Sequence, residues 1–191
     1  MAVIWWWVRH APTGQTTMNG WTDVAADLSD QSALARLSAA LPAGADVISS
    51  DLTRAVDTAS AIAAGRPRLP HDRGLREIHF GAWEARSFAD VEAEDPHLLR
   101  RYLEEPGSVA PPGGESWNGL QKRVSAAVDA LTGDTGHIIA VAHFGTILTQ
   151  VQRATGHSAR TVIDHDIDHL SVTRIRRSAT GWHLEEINRK L

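Results

Sequence analysis

The chain contains no cysteine, which excludes a disulfide scaffold, a thiolate zinc site, an iron–sulfur site and a cysteine nucleophile. It also lacks a surplus of positive charge. Its 19 Lys and Arg stand against 23 Asp and Glu, for a formal net charge of −4, so no broad basic face is expected for nucleic acid or an anionic membrane. Long apolar runs are missing as well. The stretch from Ala2 to Val8 is apolar, but it is short, has no basic segment before it and is followed at once by a charge, so it does not read as a signal peptide. No run is long enough to span a bilayer, and a cytoplasmic protein is the default expectation. What the chain does have is ten histidines and seven tryptophans in 191 residues. That length suits one domain with a sizeable core. An imidazole can be a ligand, an acid–base group or a nucleophile, so the histidines are the first residues to place.

Local patterning predicts alternating strands and helices. Val3 to Val8 is apolar and β-branched or aromatic throughout, which suits a strand buried on both faces, with the Trp5-Trp6-Trp7 run in the core. Ser29-Asp30 offers caps for a helix over about 31–41, and Asp46 to Ser49 reads as a short strand. Ser50-Asp51 is expected to cap a helix with the stripe Leu52, Ala55, Val56, Ala59 and Ile62. Further helices are expected over 88–94, 96–104 and 117–131, a second buried strand over 136–143, and a helix opening at Gly145 and running to about Thr155. Leu170 to Ile175 and Trp182 to Ile187 alternate as two late strands joined by a turn at Gly181. Pro106 to Gly114 is Pro/Gly-rich and too short to divide domains, so it is read as a loop. The expected fold is α/β: a mainly parallel central sheet with helices on both faces. One domain is expected over 1–191, with a small helical cap at about 87–114.

In open α/β sheets ligands bind beyond the carboxyl ends of the strands. Arg9-His10 follows the first strand, Ser50 to Arg54 the second, and His143 the third. Two arginines and two histidines with no carboxylate among them suit a dianionic phosphoryl group better than a metal. Helix starts near Ser50 and Gly145 would add N–H donors and partial positive charge.

These segments resemble a known family. Arg9-His10-Ala11-Pro12-Thr13 looks like its Arg-His-Gly start, and Ser50-Asp51-Leu52-Thr53-Arg54-Ala55 with Thr58-Ala59 is similar to its second arginine motif. Leu75-Arg76-Glu77-Ile78 with Phe80-Gly81 and Trp83-Glu84 resembles the segment that carries its acid. Pro112-Gly113-Gly114-Glu115-Ser116 and Ala142-His143-Phe144-Gly145 complete the set in the right order. Together they resemble the histidine phosphatase superfamily, in its phosphoglycerate-mutase-like branch, which includes α-ribazole phosphatases. The resemblance implies phosphoryl transfer without metal or cofactor on a small phosphorylated metabolite. His10 would be the nucleophile, its second ring nitrogen donating to a fixed backbone acceptor. Arg9, Arg54 and His143 would hold the non-bridging oxygens, and Glu77 would be the proton donor, partly buried behind Phe80 and Trp83. Asn19 and Phe144 are expected to contact substrate.

Three departures stand out: Ala11 occupies a usual glycine position, Phe144 follows His143 where glycine is common, and the stretch from Thr13 to Asp23 is shorter than in the family's mutases. A phosphatase is the first reading. A cofactor-dependent phosphoglycerate mutase and a non-catalytic phospholigand-binding protein are the alternatives, and a metal-dependent hydrolase is a fourth. His165-Asp166-Ile167-Asp168-His169 has metal-ligand spacing, but Asp-rich segments favour turns, so a loop at the pocket rim is expected there. His79, two residues from Glu77, is a further possible substrate contact.

Overall fold

Seven residues, Val3–Arg9, form strand β1, the middle strand of a five-stranded sheet. The structure is a computed structural model that describes residues 2–133 and 136–191. Helix α1 covers Gln31–Ala40; Asp30 accepts a hydrogen bond from Ala33 N at its start, and Leu34 and Leu37 face the core. Strand β2 is Asp46–Ser49 and helix α2 is Thr53–Ile62. One-turn 3-10 helices at Arg73–Leu75 and Gly81–Trp83 flank the segment that holds Glu77. Helices α3 (Phe88–Glu94) and α4 (Pro96–Glu104) follow, then α5 (Trp117–Leu131), strand β3 (Gly136–Ala142) and helix α6 (Phe144–Thr155). Gly156, at φ 71°, ends α6 in the left-handed conformation that glycine adopts without strain. Helix α7 is Ala159–Ile163, and strands β4 (Val172–Ser178) and β5 (Gly181–Arg189) complete the chain.

The strand order is β2-β3-β1-β4-β5. β2 runs parallel to β3 and β3 parallel to β1, whereas β4 is antiparallel to both β1 and β5. The expectation of a mainly parallel sheet is therefore corrected: the sheet is mixed. The tight turn between Ser178 and Gly181 forces β5 to fold back on β4, because parallel neighbours need a long crossover.

Helices cover both faces. Trp5, Trp7, Ile138 and Ala140 pack against Leu120, Val124 and Val128 of α5 and Ile147, Leu148 and Val151 of α6. On the other face Val8, Ile139 and Val141 meet Leu34 and Leu37 of α1 and Ala55, Ala59 and Ile62 of α2. Trp5 and Trp7 stack at 5.2 Å with both rings buried, while Trp6 is half-buried and donates to His137 Nδ1 at 3.1 Å. A third, smaller cluster of Met18, Trp83, Val91 and Leu99 joins α3 and α4 to the loop after β1. No helix among the described residues is long and apolar enough to cross a membrane.

Sequence patterning mistook one cap and left one helix unread. Ser50 and Asp51 do not cap α2. Asp23, 30 residues upstream, accepts from Thr53 N at 2.7 Å and from Thr53 Oγ1 at 2.8 Å. Ser50 Oγ bonds Leu52 N at 3.2 Å, and Asp51 forms a two-pronged pair with Arg76 at 2.6 and 2.7 Å. The single turn of α7 is too short for a helical period to stand out.

Candidate active site

The three parallel strands deliver their carboxyl ends to one edge. Arg9 lies opposite Ala142 and Ser49 opposite Val141, and the ladder runs one residue further through His10 N–Ala142 O at 3.0 Å and Ser50 N–Val141 O at 3.1 Å. His10 and His143 therefore emerge side by side, with ring centroids 5.1 Å apart. The antiparallel β4 matters here, since the segment leading into it reaches the same edge. Leu170 N bonds Arg9 O at 3.0 Å, and the His169 ring lies 5.2 Å from that of His10.

His10 is buried, and its Nδ1 lies 2.7 Å from the Ala11 carbonyl oxygen. A carbonyl only accepts, so Nδ1 carries the proton and Nε2 carries the lone pair. Burial holds the His10 pKa well below 6.5, with the Ala11 bond opposing and nearby Arg54, His169 and Arg9 adding to the depression. The ring is therefore neutral at physiological pH. Ala11 is buried without left-handed backbone, and its N–H donates to Thr58 Oγ1 at 2.9 Å. The methyl group in the usual glycine position is thus accommodated without strain. His143 is fully buried behind His10, and burial lowers its pKa well below 6.5 too, followed by the fields of Arg54 and His10. Neither of its ring nitrogens has a partner among the described residues.

Arg54 and Arg9 are fixed by backbone carbonyls rather than by carboxylates. Arg54 donates to Thr22 O at 2.9 Å, Gly20 O at 2.7 Å and Asn19 O at 3.1 Å. Arg9 donates to Ile167 O at 2.6 Å and lies 5.5 Å over the Phe144 ring, while its Nε is buried and unpartnered. Among the described residues neither guanidinium is neutralised by direct ion pairing, so both keep positive charge for an anion.

The loop that grips Arg54 is itself organised by Glu84. Its carboxylate accepts from Trp21 N at 2.8 Å, Thr22 N at 2.9 Å, Thr22 Oγ1 at 2.6 Å and Phe80 N at 2.9 Å. Burial opposes the charge on Glu84, but these bonds outweigh it and hold its pKa below the ordinary carboxylate value. Gly20 is required in this loop, because a Cβ there would collide with the Ile78 carbonyl and the Glu84 carboxylate.

Glu77 is buried, its Oε1 accepting from Ile78 N at 2.8 Å and its Oε2 from Gly145 N at 3.0 Å. Its backbone oxygen accepts from Trp21 Nε1 at 2.8 Å and Arg123 at 3.1 Å, and Arg123 is paired with Glu115 at 2.6 Å. A Cβ on Gly145 would lie 2.5 Å from Glu77 Oε1, so only glycine lets the carboxylate sit against the start of α6. Of the two rings expected beside Glu77, Phe80 lines the same cleft, whereas Trp83 turns away into the cluster with Met18, Val91 and Leu99.

A cleft of about 240 Å³ gathers Arg9, His10, Asn19, Arg54, Glu77 and Phe144 on its walls. Six of the seven site residues expected from sequence thus share one cavity, and the seventh, His143, is buried with its ring 5.1 Å from that of His10. The Asn19 side chain bonds Thr17 at 2.9 Å. His79 is absent from the wall and packs against Trp21 at 4.6 Å. His169, read only as part of a rim loop, does line the cleft and holds the His10 carbonyl through Nδ1 at 2.9 Å. Asp168 is tied instead to Lys190 at 2.8 Å, and no group of three or more potential ligands among the described residues is placed to hold a metal.

This arrangement of paired strand-end histidines and carbonyl-anchored arginines coincides with a family match over residues 5–190, and the chain belongs to the histidine phosphatase superfamily (branch 1). A bifunctional protein of Mycobacterium tuberculosis is 43% identical over 88 residues, 46% of this chain and 24% of its own length. A glucosyl-3-phosphoglycerate phosphatase of Mycolicibacterium vanbaalenii is 33% identical over 112 residues, 53% of this chain and 49% of its own. The chain therefore spans about a quarter of the first relative and half of the second. In fold it matches the alpha-ribazole phosphatase from Shigella flexneri with TM-score 0.83 at 21% identity, over 100% of this chain and 97% of that one.

Proposed function

We propose that the chain is a metal-independent phosphatase for a small phosphomonoester, working through a phosphohistidine on His10, and that it forms one domain with residues 87–114 as cap. The observation that carries this reading is the Nδ1 contact of His10 with Ala11 O at 2.7 Å, which leaves a neutral Nε2 as nucleophile among buried cations. Nε2 forms a bond to phosphorus as the ester P–O bond breaks. Arg9, Arg54 and His143 stabilise the charge on the non-bridging oxygens, with Asn19 and Phe144 as further substrate contacts. Glu77 gives a proton to the leaving oxygen. Water then attacks phosphorus, Glu77 takes its proton, and phosphate leaves with His10 restored.

The test is to quench turnover in alkali and look for a base-stable, acid-labile phosphoenzyme, with EDTA present throughout. A phosphoenzyme that disappears in His10→Ala, with activity undiminished by EDTA, is the expected result. Activity without any His10 adduct overturns the mechanism. Interconversion of 2- and 3-phosphoglycerate faster than phosphate release would assign a mutase instead.

A further inference from the structure

A second cavity, of about 220 Å³, adjoins the cleft and shares Glu77, Phe80, Phe88 and Phe144 with it. Its remaining wall includes Tyr102 and Leu103 of α4 and Val109 of the loop beyond. Phe88 and Leu103, 49% and 46% exposed, are the large apolar side chains left most open among the described residues, and both lie on this cavity. Exposed apolar side chains gathered around one hollow mark a ligand surface more than a folding accident. The hollow continues from Glu77, where a leaving group would depart.

Its chemistry is narrow. Among the described residues no Lys, Arg or His lines it. Apart from Glu77, its polar side-chain atoms are the Tyr102 hydroxyl and the Trp117 indole N–H, and the indole already donates to Gln152 at 2.7 Å. Burial pushes the Tyr102 phenol up, so it stays protonated and offers one donor. A carboxylate placed here would meet no cation and would face Glu77, and a polyol would lose water from several hydroxyls with one donor in return. A hydrocarbon ring loses nothing of that kind, and an apolar cavity of roughly 150 Å³ is enough for benzene.

We propose that this cavity receives the leaving group of the phosphate ester, and that this group is an apolar ring or branched hydrocarbon alcohol rather than a sugar, a glycerol or a glycerate. The inference rests on the phosphatase reading of the adjoining cleft. It names the half of the substrate that the cations do not touch.

The test compares benzyl phosphate, glycerol 1-phosphate and 3-phosphoglycerate, whose leaving alcohols are all aliphatic, so differences report the pocket rather than leaving-group acidity. Benzyl phosphate is expected to lead in kcat/KM by on the order of 30-fold, the gain from burying one ring. Leu103→Arg, at a position exposed enough to spare the fold, should cut that ratio at least tenfold and favour 3-phosphoglycerate. Equal rates on the three esters, a lead for 3-phosphoglycerate, or a ratio unmoved in Leu103→Arg each overturn the proposal. Calorimetry with benzylphosphonate and methylphosphonate separates the two readings. If no ester turns over but benzylphosphonate binds at least tenfold tighter, the pocket stands and the phosphatase reading falls; if the two bind alike, the pocket proposal falls as well.

Discussion

The two halves of the cavity are built from opposite materials. At one end, the Arg9 and Arg54 guanidiniums and the His10 imidazole are fixed by backbone carbonyls, with the buried His143 ring beside His10 at the carboxyl ends of β1 and β3. At the other, side chains of α3, α4 and the following loop present carbon and no cation. The difference teaches how labour divides in this fold. Strand ends are rigid and can hold charge in place at little reorganisation cost, whereas on the reading proposed above the short helices α3 and α4 carry the side chains that select what sits next to that charge. Changes at the charged end should therefore lower the rate on every ester alike, and changes at the apolar end should alter the ranking of esters.

The largest effect is expected from His10→Ala, which removes the proposed nucleophile and should lower kcat/KM at least about a thousandfold on every ester. A loss confined to one ester would break the division. Next comes Arg54→Ala, with a loss of about 3 kcal/mol, roughly 150-fold in kcat. Arg54→Lys should recover little of this, because a point charge cannot serve three carbonyls and an anion in the fork's geometry. Steady-state kinetics on p-nitrophenyl and benzyl phosphates would check both, and equal recovery by lysine would contradict the fork.

Gly145→Ala sits where the halves meet. Its Cβ would press on Glu77 Oε1 at 2.5 Å, and the displaced carboxylate should cost about tenfold on benzyl phosphate. The loss on p-nitrophenyl phosphate should be much smaller, since that leaving group departs without a proton. Equal losses on both esters would remove Glu77 from the proton-donor role.

The last effect is on stability rather than rate. The folded pKa values of His10 and His143 lie well below the ordinary value of 6.5 because both rings are buried. Above roughly pH 6.5 neither state binds these protons and no penalty arises. As the pH falls below that value the unfolded chain takes them up and the folded one does not, so stability drops by up to about 1.4 kcal/mol per pH unit for each ring. Urea unfolding between pH 7.5 and 5.5 should show this slope, and His143→Asn should make it shallower. An unchanged slope would place the acid sensitivity elsewhere.

Much of the frame was legible along the chain. The limits of β2, α3, α4 and α5 match the patterning to the residue, and Arg9, His10, Arg54, Glu77 and His143 come together as strand-end logic and family resemblance implied. The rest depended on partners distant in sequence. Asp23 caps α2 from 30 residues away, so Ser50-Asp51 looked like the cap only because it was adjacent. Glu84 is an ordinary acid in sequence; it acquires its task only when five donors of the 20–22 and 80 segments surround it. His169 looked like half of a metal motif, and reached the cleft because β4 runs antiparallel to β1.

What the chain determined by itself is local: apolar periodicity, turn residues and caps within a few positions, together with the absence of any thiol, which excludes a cysteine nucleophile. Tertiary structure decided the direction of β4, the tautomer of His10 through the Ala11 carbonyl, and the meeting of a charged cleft with an apolar one at Glu77. Those depend on distances between segments brought together by packing, and periodicity along a chain carries no such distances.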